Sequence, residues 1–320
     1  MLALVLDGKL KTRTDFPSPK RAPGEARVAV RVAGVCDTDL QLVRGYMGFS
    51  GVPGHEMVGT VIESESAPWV GKRVVADINA GCGQCADCVQ RDGHHCRART
   101  VLGILGRGGA FAEELTIPER CLVAVPQSVR DDVAVFAEPL AAALHVLDVA
   151  GACDAKRAVV IGDGKLGLLI AAALATAIRD VLVVGHHKEK LALLDAWRAR
   201  GKLEDALTLE DGDADLVVEA SGSTSGLARA MALCKPRGTL VLKTTVAGPT
   251  QVDFSPIVIQ ELNVVGSRCG DMRAAIALLA AGSFDPTPLI QARYPLRDAI
   301  SAFDHAARRG TLKVLVDVGS

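Results

Sequence analysis

The stretch Arg157-Ala-Val-Val-Ile-Gly162-Asp163-Gly164-Lys165-Leu166-Gly167 decides the fold. Its apolar residues predict a buried strand, and G-x-G-x-x-G follows directly, opening an apolar run that predicts a helix. Glycines at these positions permit a tight turn and the close approach of a pyrophosphate to a helix N-terminus. The segment therefore predicts a dinucleotide-binding turn, in which residues 162–166 contact the cofactor.

The pattern around this turn extends the prediction over residues 140–268. Apolar strands are predicted at 159–161, 181–184, 216–219, 240–243 and 264–266, and helices between them at 166–177, 188–199, 227–234 and 256–261. Short apolar strands that alternate with helices indicate βαβ units and a parallel sheet. The prediction for this part is an α/β fold, a Rossmann domain with a doubly wound sheet.

The end of the second predicted strand bears on the choice of cofactor. An acid is expected there when the adenosine ribose carries a free 2′-hydroxyl. The chain has Gly185-His186-His187-Lys188 instead, in which a glycine leaves room and titratable or basic groups follow. This favours NADP, with NAD held by other contacts as the alternative.

Four cysteines lie within fifteen residues in the N-terminal part of the chain. Cys82, Cys85, Cys88 and Cys96 give the spacing C-x2-C-x2-C-x7-C. Four thiolates can close a tetrahedral zinc site, which leaves no open position for substrate, so the predicted role is structural. Free or disulfide-paired cysteines are the alternative.

Three further segments each offer a metal ligand. Cys36 stands in Cys-Asp-Thr38-Asp39-Leu, His55 and Glu56 in Gly-His-Glu, and Glu138 in Ala-Glu-Pro-Leu. Together with the cysteine cluster, these motifs resemble the zinc-containing medium-chain dehydrogenase/reductase family over essentially the whole chain. The resemblance implies a GroES-like, β-rich catalytic domain formed by residues 1–139 and 269–320 beside the Rossmann domain.

The resemblance also implies roles for single residues. Cys36 and His55 would bind a catalytic zinc, with Glu56 or Glu138 as third ligand, which makes two zinc ions (Zn²⁺) per chain. Asp39 would fix the tautomer of His55. Thr38 would relay the proton of the bound alcohol, whereas Gln41 stands where many members have a titratable histidine.

One basic residue near the C-terminus matches a family position. Lys313 resembles a residue that approaches the pyrophosphate and the carboxylate of Gly-His-Glu. A solvated strand lysine is the alternative reading of this position.

The expected function is interconversion of an alcohol and an aldehyde or ketone by hydride transfer with NAD(P). The alternatives are a zinc-free reductase and a non-catalytic protein on the same fold. A net charge of −1 argues against nucleic-acid partners. With no signal peptide and no apolar run of ~20 residues, no membrane span and a cytoplasmic location are expected. The family resemblance implies a homodimer or homotetramer.

Overall fold

The computed structural model describes residues 1–151, 155–244 and 251–319. The chain divides into two compact units. A β-rich unit consists of Met1–Glu138 and Met272–Ser320, and an α/β unit consists of Pro139–Asp271.

The β-rich unit contains short strands joined by turns, with few helices. Its strands are β1 (Ala3–Asp7), β2 (Lys9–Arg13), β3 (Glu25–Val35), β4 (Glu56–Glu63), β5 (Arg73–Ala76), β6 (Asn79–Ala80), β7 (Thr100–Leu102), β8 (Gly106–Arg107), β9 (Glu114–Pro118), β10 (Leu122–Ala124), β17 (Ile290–Pro295) and β18 (Lys313–Asp317). Its helices are α1 (Asp37–Val43), α2 (Ala86–Gln90), α3 (Asp131–Ala134), α9 (Met272–Ala280) and α10 (Ala299–Ala306).

The main sheet of this unit has seven strands. They run in the order β10-β5-β4-β3-β18-β17, and β9 also pairs with β3. Strand β3 alternates buried and half-buried residues over much of its length, as expected of a strand with one face on the core. Because β3 lies between β4 and β18, the end of β3, the start of β4 and the start of β18 meet at one end of the sheet.

The α/β unit contains a fully parallel sheet. Its strands are β11 (Arg157–Ile161), β12 (Asp180–Gly185), β13 (Arg200–Leu203), β14 (Ala214–Glu219), β15 (Cys234–Leu242) and β16 (Asn263–Gly266), in the order β13-β12-β11-β14-β15-β16. Its helices are α4 (Ala137–Ala150), α5 (Lys165–Leu174), α6 (Lys188–Leu191), α7 (Gly226–Leu233) and α8 (Ser255–Ile259). The sheet predicted from strand–helix alternation is therefore present, with one additional strand, β13.

The helix predicted over residues 188–199 is wrong in part. Only α6 is α-helical, a 3₁₀ segment follows over Ala192–Trp197, and Arg198 then adopts a left-handed conformation with φ 58°. The chain turns there because residues 200–203 extend as β13 beside β12. Among the described residues, no helix combines the length and hydropathy that a membrane crossing requires.

Candidate functional site

Three potential metal ligands converge at one end of the main sheet. Cys36 follows β3 and caps α1, and Glu56 is the first residue of β4. One ligand atom each from Cys36, His55 and Glu56 lies within 4.8 Å of the others. A thiol, an imidazole and a carboxylate at this spacing form a mixed donor set that suits zinc.

Asp39 holds this group of ligands together. Its Oδ2 accepts a hydrogen bond from the backbone N–H of Cys36 at 2.9 Å, and its Oδ1 lies 3.2 Å from Nδ1 of His55 without hydrogen-bond geometry. Burial lowers the pKa of His55, but the charges of Asp39 and Cys36 outweigh it and raise that pKa well above its usual value. Because Nδ1 faces Asp39, Nε2 is left for a metal ion.

The Thr38 hydroxyl lies beside the group. Its oxygen is 3.9 Å from Sγ of Cys36, and the side chain is half-buried. Thr38 stands in the first turn of α1, between the capping residue Cys36 and the buried Asp39. The short helix α1 and its capping residue therefore place a potential ligand, a carboxylate beside the neighbouring imidazole and a hydroxyl close together.

Glu56 and Lys313 form a fully buried ion pair. Each side chain is only 1% exposed, and Lys313 Nζ donates to Oε2 of Glu56 while lying 5.6 Å from the ring centre of Phe136. The alternative of a solvated strand lysine is therefore wrong, since Lys313 opens β18 inside the core. A Cβ on Gly34, opposite Glu56 in the sheet, would stand 2.2 Å from the same carboxylate oxygen, so a larger residue there would displace the buried, ion-paired carboxylate.

Glu138 does not belong to the group of three ligands. It is half-buried in the first turn of α4, one residue before Pro139. Proline is tolerated in this turn because the first N–H groups of a helix have no partner within the helix.

Unpartnered buried atoms indicate that the group fits a metal ion. Oε1 of Glu56 is buried without a hydrogen-bond partner, and the donor set around it combines sulfur, nitrogen and oxygen. A buried carboxylate oxygen normally has a partner, because leaving it unmatched is costly. Zinc bound by Cys36, His55 and a glutamate would supply that partner.

The four clustered cysteines form a second group. Their sulfur atoms lie within 4.8 Å of one another, with Cys85 Sγ 3.6 Å and Cys82 Sγ 4.0 Å from Cys88 Sγ. Tetrahedral zinc with Zn–S bonds of about 2.3 Å places sulfur atoms about 3.8 Å apart, which matches these distances. All four are free thiols here, so the disulfide alternative is not supported.

The backbone around this cluster favours the thiolate form of one cysteine. The backbone N–H groups of Gln84 and Cys85 lower the pKa of Cys82 to about 6. A Cβ on Gly81 would stand 2.6 Å from the sulfur of Cys88, so a glycine lets the chain pass the cluster. This close packing of backbone against sulfur suits a closed metal site.

The glycine turn lies where a pyrophosphate would approach it, at the carboxyl end of β11. Gly162 has φ 117°, and its Cα is packed so closely against Ala220 that a Cβ would stand 2.6 Å from that carbonyl oxygen. Gly164 caps α5, and Lys165 and Leu166 open that helix. The N-terminus of α5 therefore presents the backbone N–H groups that anion binding requires.

The structure corrects the interpretation of Gly185. The space beside this glycine is not empty, because a Cβ there would stand 2.4 Å from Oδ2 of Asp163. That carboxylate accepts hydrogen bonds from the backbone N–H groups of His186 and His187, both at 2.7 Å, and lies 3.0 Å from Nδ1 of His187. An acid from the glycine turn thus fills the position of the missing acid at the end of β12.

Sequence reasoning missed three charged residues near the end of β12. A hollow of about 440 Å³ is lined there by Gly185, His186, Leu203, Glu204, Asp205 and Arg229. Glu204 and Asp205 follow β13, and Arg229 lies on α7. The exposed Lys188 is not part of this lining. The two acids directly follow an unpredicted strand, so no sequence signal placed them near His186.

Comparison with known proteins agrees with this geometry. Residues 22–127 match the alcohol dehydrogenase GroES-like domain, and residues 166–281 match the zinc-binding dehydrogenase domain. The erythritol/L-threitol dehydrogenase of Mycolicibacterium smegmatis is 30% identical over 323 residues, covering 90% of this chain and 89% of that protein. The chain belongs to the zinc-dependent medium-chain dehydrogenase family. The predicted family and its GroES-like and Rossmann fold are therefore confirmed.

Solved structures similar to this chain have been determined with one or the other nicotinamide cofactor. A putative zinc-binding dehydrogenase of Sinorhizobium meliloti, bound to NADP, has a TM-score of 0.89, 27% identity and coverage of 99% of both chains. The structure described as a short chain alcohol dehydrogenase (rspB) of Escherichia coli, complexed with NADH, has a TM-score of 0.89, 26% identity and the same coverage. The dehydrogenase fold is thus compatible with either cofactor.

Proposed function

We propose that this dehydrogenase interconverts an alcohol and an aldehyde or ketone at a catalytic zinc, with NADP favoured over NAD. The observation that carries the proposal is the convergence of Cys36, His55 and Glu56 within 4.8 Å. Three protein ligands with a further position open to substrate are the usual composition of a catalytic zinc site.

The proposed chemistry divides between the bound groups and the chain. When bound, zinc supplies Lewis acidity toward the substrate oxygen and the nicotinamide supplies the hydride acceptor or donor. Thr38 receives the proton of the substrate hydroxyl, and Asp39 keeps the ring of His55 in the tautomer that leaves Nε2 free. Gln41 cannot titrate, so the proton passes from Thr38 to water or to the cofactor ribose.

Glu56 and Glu138 are both proposed as candidates for the third ligand. The unpartnered Oε1 of Glu56 supports its direct coordination. Its other oxygen is held by Lys313, whose positive charge offsets the attraction of Glu56 to zinc and leaves Glu138 able to replace it. We propose a second, structural zinc at the four clustered cysteines, supported by their tetrahedral spacing.

The proposed substrates are polyols, sugars or amino alcohols. By the family resemblance, Glu138, followed by Pro139, stands where many alcohol dehydrogenases have a cysteine. The Mycolicibacterium relative is named for two polyols. The residues proposed to bind the cofactor are Gly162, Asp163, Gly164, Lys165, Leu166, Gly185, His186, His187, Lys188 and Lys313.

We propose a homodimer or homotetramer joined through the α/β unit. Strand β16 lies at the edge of the parallel sheet, and the preceding helix α8 exposes Val258 and Ile259 by 73% and 79%. Exposed apolar side chains beside a sheet edge are typical of a surface that pairs with another chain.

Zinc counting combined with an activity screen tests the proposal. The parent is expected to hold two zinc ions per chain by mass spectrometry, and to oxidise at least one polyol or amino alcohol with NADP, followed by nicotinamide absorbance. Cys36→Ser should hold one zinc and lose activity by about 100-fold or more, because a hydroxyl binds zinc far less tightly than a thiolate.

Cys121→Ser is the matched control. Cys121 is buried outside both groups of ligands, so its replacement should leave two zinc ions and the parent activity. A parent with one zinc would support a retained structural site without catalysis, and a parent without zinc would contradict both metal assignments.

A further inference from the structure

Three elements of the α/β unit meet in the hollow at the end of β12. His186 follows β12, Glu204 follows β13 and Arg229 lies on α7. Gly185 and Leu203 pair in the parallel sheet, so the residues after them are neighbours. Ligands of open α/β sheets bind at the carboxyl ends of the strands, and this hollow lies at the end of the strand after the glycine turn.

A single carboxylate bridges the two basic side chains in this hollow. Oε1 of Glu204 lies 2.5 Å from a guanidinium nitrogen of Arg229, and Oε2 lies 3.0 Å from Nε2 of His186. His186 is solvent-exposed, whereas Arg229 is half-buried and Glu204 is half-buried between them. The two donors thus point at one anionic group that the chain itself provides.

The backbone holds one of these donors in place. Asp163 accepts hydrogen bonds from the N–H groups of His186 and His187, and it does not line the hollow. These hydrogen bonds fix the backbone of the turn after β12, so His186 lines the hollow without any change of backbone conformation. Donors fixed before binding lose little entropy when an anion binds.

We propose that Glu204 is a specificity-determining residue that occupies the place of the cofactor's 2′-phosphate. In the free protein its carboxylate sits between Arg229 and His186, and the 2′-phosphate of NADP displaces it and takes over both donors. With NAD, Glu204 stays in place and accepts a hydrogen bond from the ribose 2′-hydroxyl. This inference rests on the proposed binding of NAD(P) by the α/β unit.

Two consequences follow from this arrangement. Glu204 weakens NADP binding, because its charge competes with the phosphate for the same donors, and this lets the protein use both cofactors. Arg229 contributes to NADP binding from α7, whereas the sequence pattern had indicated basic groups only in the segment after β12. A guanidinium and a phosphate form charge-assisted hydrogen bonds, the stronger class of such contacts.

Calorimetric titration with 2′,5′-ADP and 5′-AMP tests the proposal without catalysis. These fragments differ only by the 2′-phosphate, so the ratio of their dissociation constants isolates its contribution. Glu204→Gln should shift that ratio in favour of 2′,5′-ADP by about tenfold, which is roughly the contribution of one charged contact to binding. Arg229→Gln should shift it about tenfold the other way.

Asp205→Asn is the matched control for charge. It removes a neighbouring acid that lines the same hollow but takes no part in the bridge. Its shift should stay within about threefold, as expected for a screened surface charge. If Glu204→Gln shifts the ratio no more than Asp205→Asn, or if Arg229→Gln leaves it unchanged, the assignment of Glu204 is overturned.

The parent protein separates this inference from the proposed function. A parent that binds 5′-AMP more tightly would contradict the NADP preference, while an opposite shift in the two variants would still support the role of Glu204. Binding of neither fragment by any variant would overturn both the inference and the proposed cofactor site.

Discussion

Replacing Lys313 by methionine should strongly destabilise the β-rich unit. The change keeps much of the aliphatic volume against Phe136 but removes the positive charge that is paired with Glu56, whose Oε1 already has no hydrogen-bond partner. Removing one partner of a buried ion pair leaves an uncompensated charge and costs about 3–5 kcal/mol. Because both side chains are 1% exposed, solvent screening does not reduce this figure.

The two tryptophans allow the loss to be assigned to one unit. Trp69 belongs to the β-rich unit and Trp197 to the α/β unit. In a Trp197→Phe background, urea unfolding followed by fluorescence therefore reports on the β-rich unit. A signal from one unit is needed because a chain of two units need not unfold in a single step. All variants are compared after a chelator has removed bound metal, so that zinc at Glu56 does not replace the charge lost with Lys313.

A surface control and a double variant make this prediction refutable. Lys11→Met removes an exposed ion pair with Asp7 and should cost no more than about 0.5 kcal/mol. The double variant with Lys313→Met and Glu56→Gln should lose about 2 kcal/mol less free energy of unfolding than the summed losses of the two single variants. If Lys313→Met costs no more than the surface control, or if the two single losses add, the reasoning about the buried pair is wrong.

Three further predictions concern the α/β unit and the cysteine cluster. Gly185→Asp should weaken NAD and NADP alike by calorimetry, because the new side chain collides with Asp163; a selective gain for NAD would contradict this. Gly81→Ala should lower the zinc content from two to one, since its Cβ would stand 2.6 Å from Cys88 Sγ, and an unchanged content would refute the close contact. Lys202 on β13 forms an ion pair with Asp211 and lowers the pKa of that carboxyl to about 2. The stabilising effect of this pair is therefore present above pH about 4 and lost as pH falls toward about 2. In an Asp211→Asn variant, the decrease in stability between pH about 4 and about 2 should be smaller than in the parent. The same decrease in variant and parent would contradict this prediction.

The sequence was most informative where function constrains residue type and spacing. The glycine turn and the four cysteines were recognisable because both must place backbone or sulfur at fixed distances within a short segment. Cys36 and His55 lie farther apart in sequence, and only resemblance to a family brought them together. The fold then places them at adjacent strand ends, which no local pattern encodes.

The features that sequence reasoning missed depend on contacts between distant segments. Strand β13 has four residues, none of them buried, so it lacks the apolar run that marks a strand. Without it, Glu204 could not be placed beside His186. Asp163 was assigned to the cofactor, but that its side chain fills the space at Gly185 follows only from the packing of two turns.

The pairing of Asp163 with Gly185 makes these two positions interdependent in evolution. An acid at the end of β12 and an acid in the glycine turn would collide and repel each other in this fold, so we expect relatives to carry one of them but not both. A change of the strand-end residue becomes tolerable only after the turn residue has become small. We therefore expect the two positions to covary among relatives, and the order of substitutions, rather than either residue alone, to limit how the adenosine end of the site can evolve.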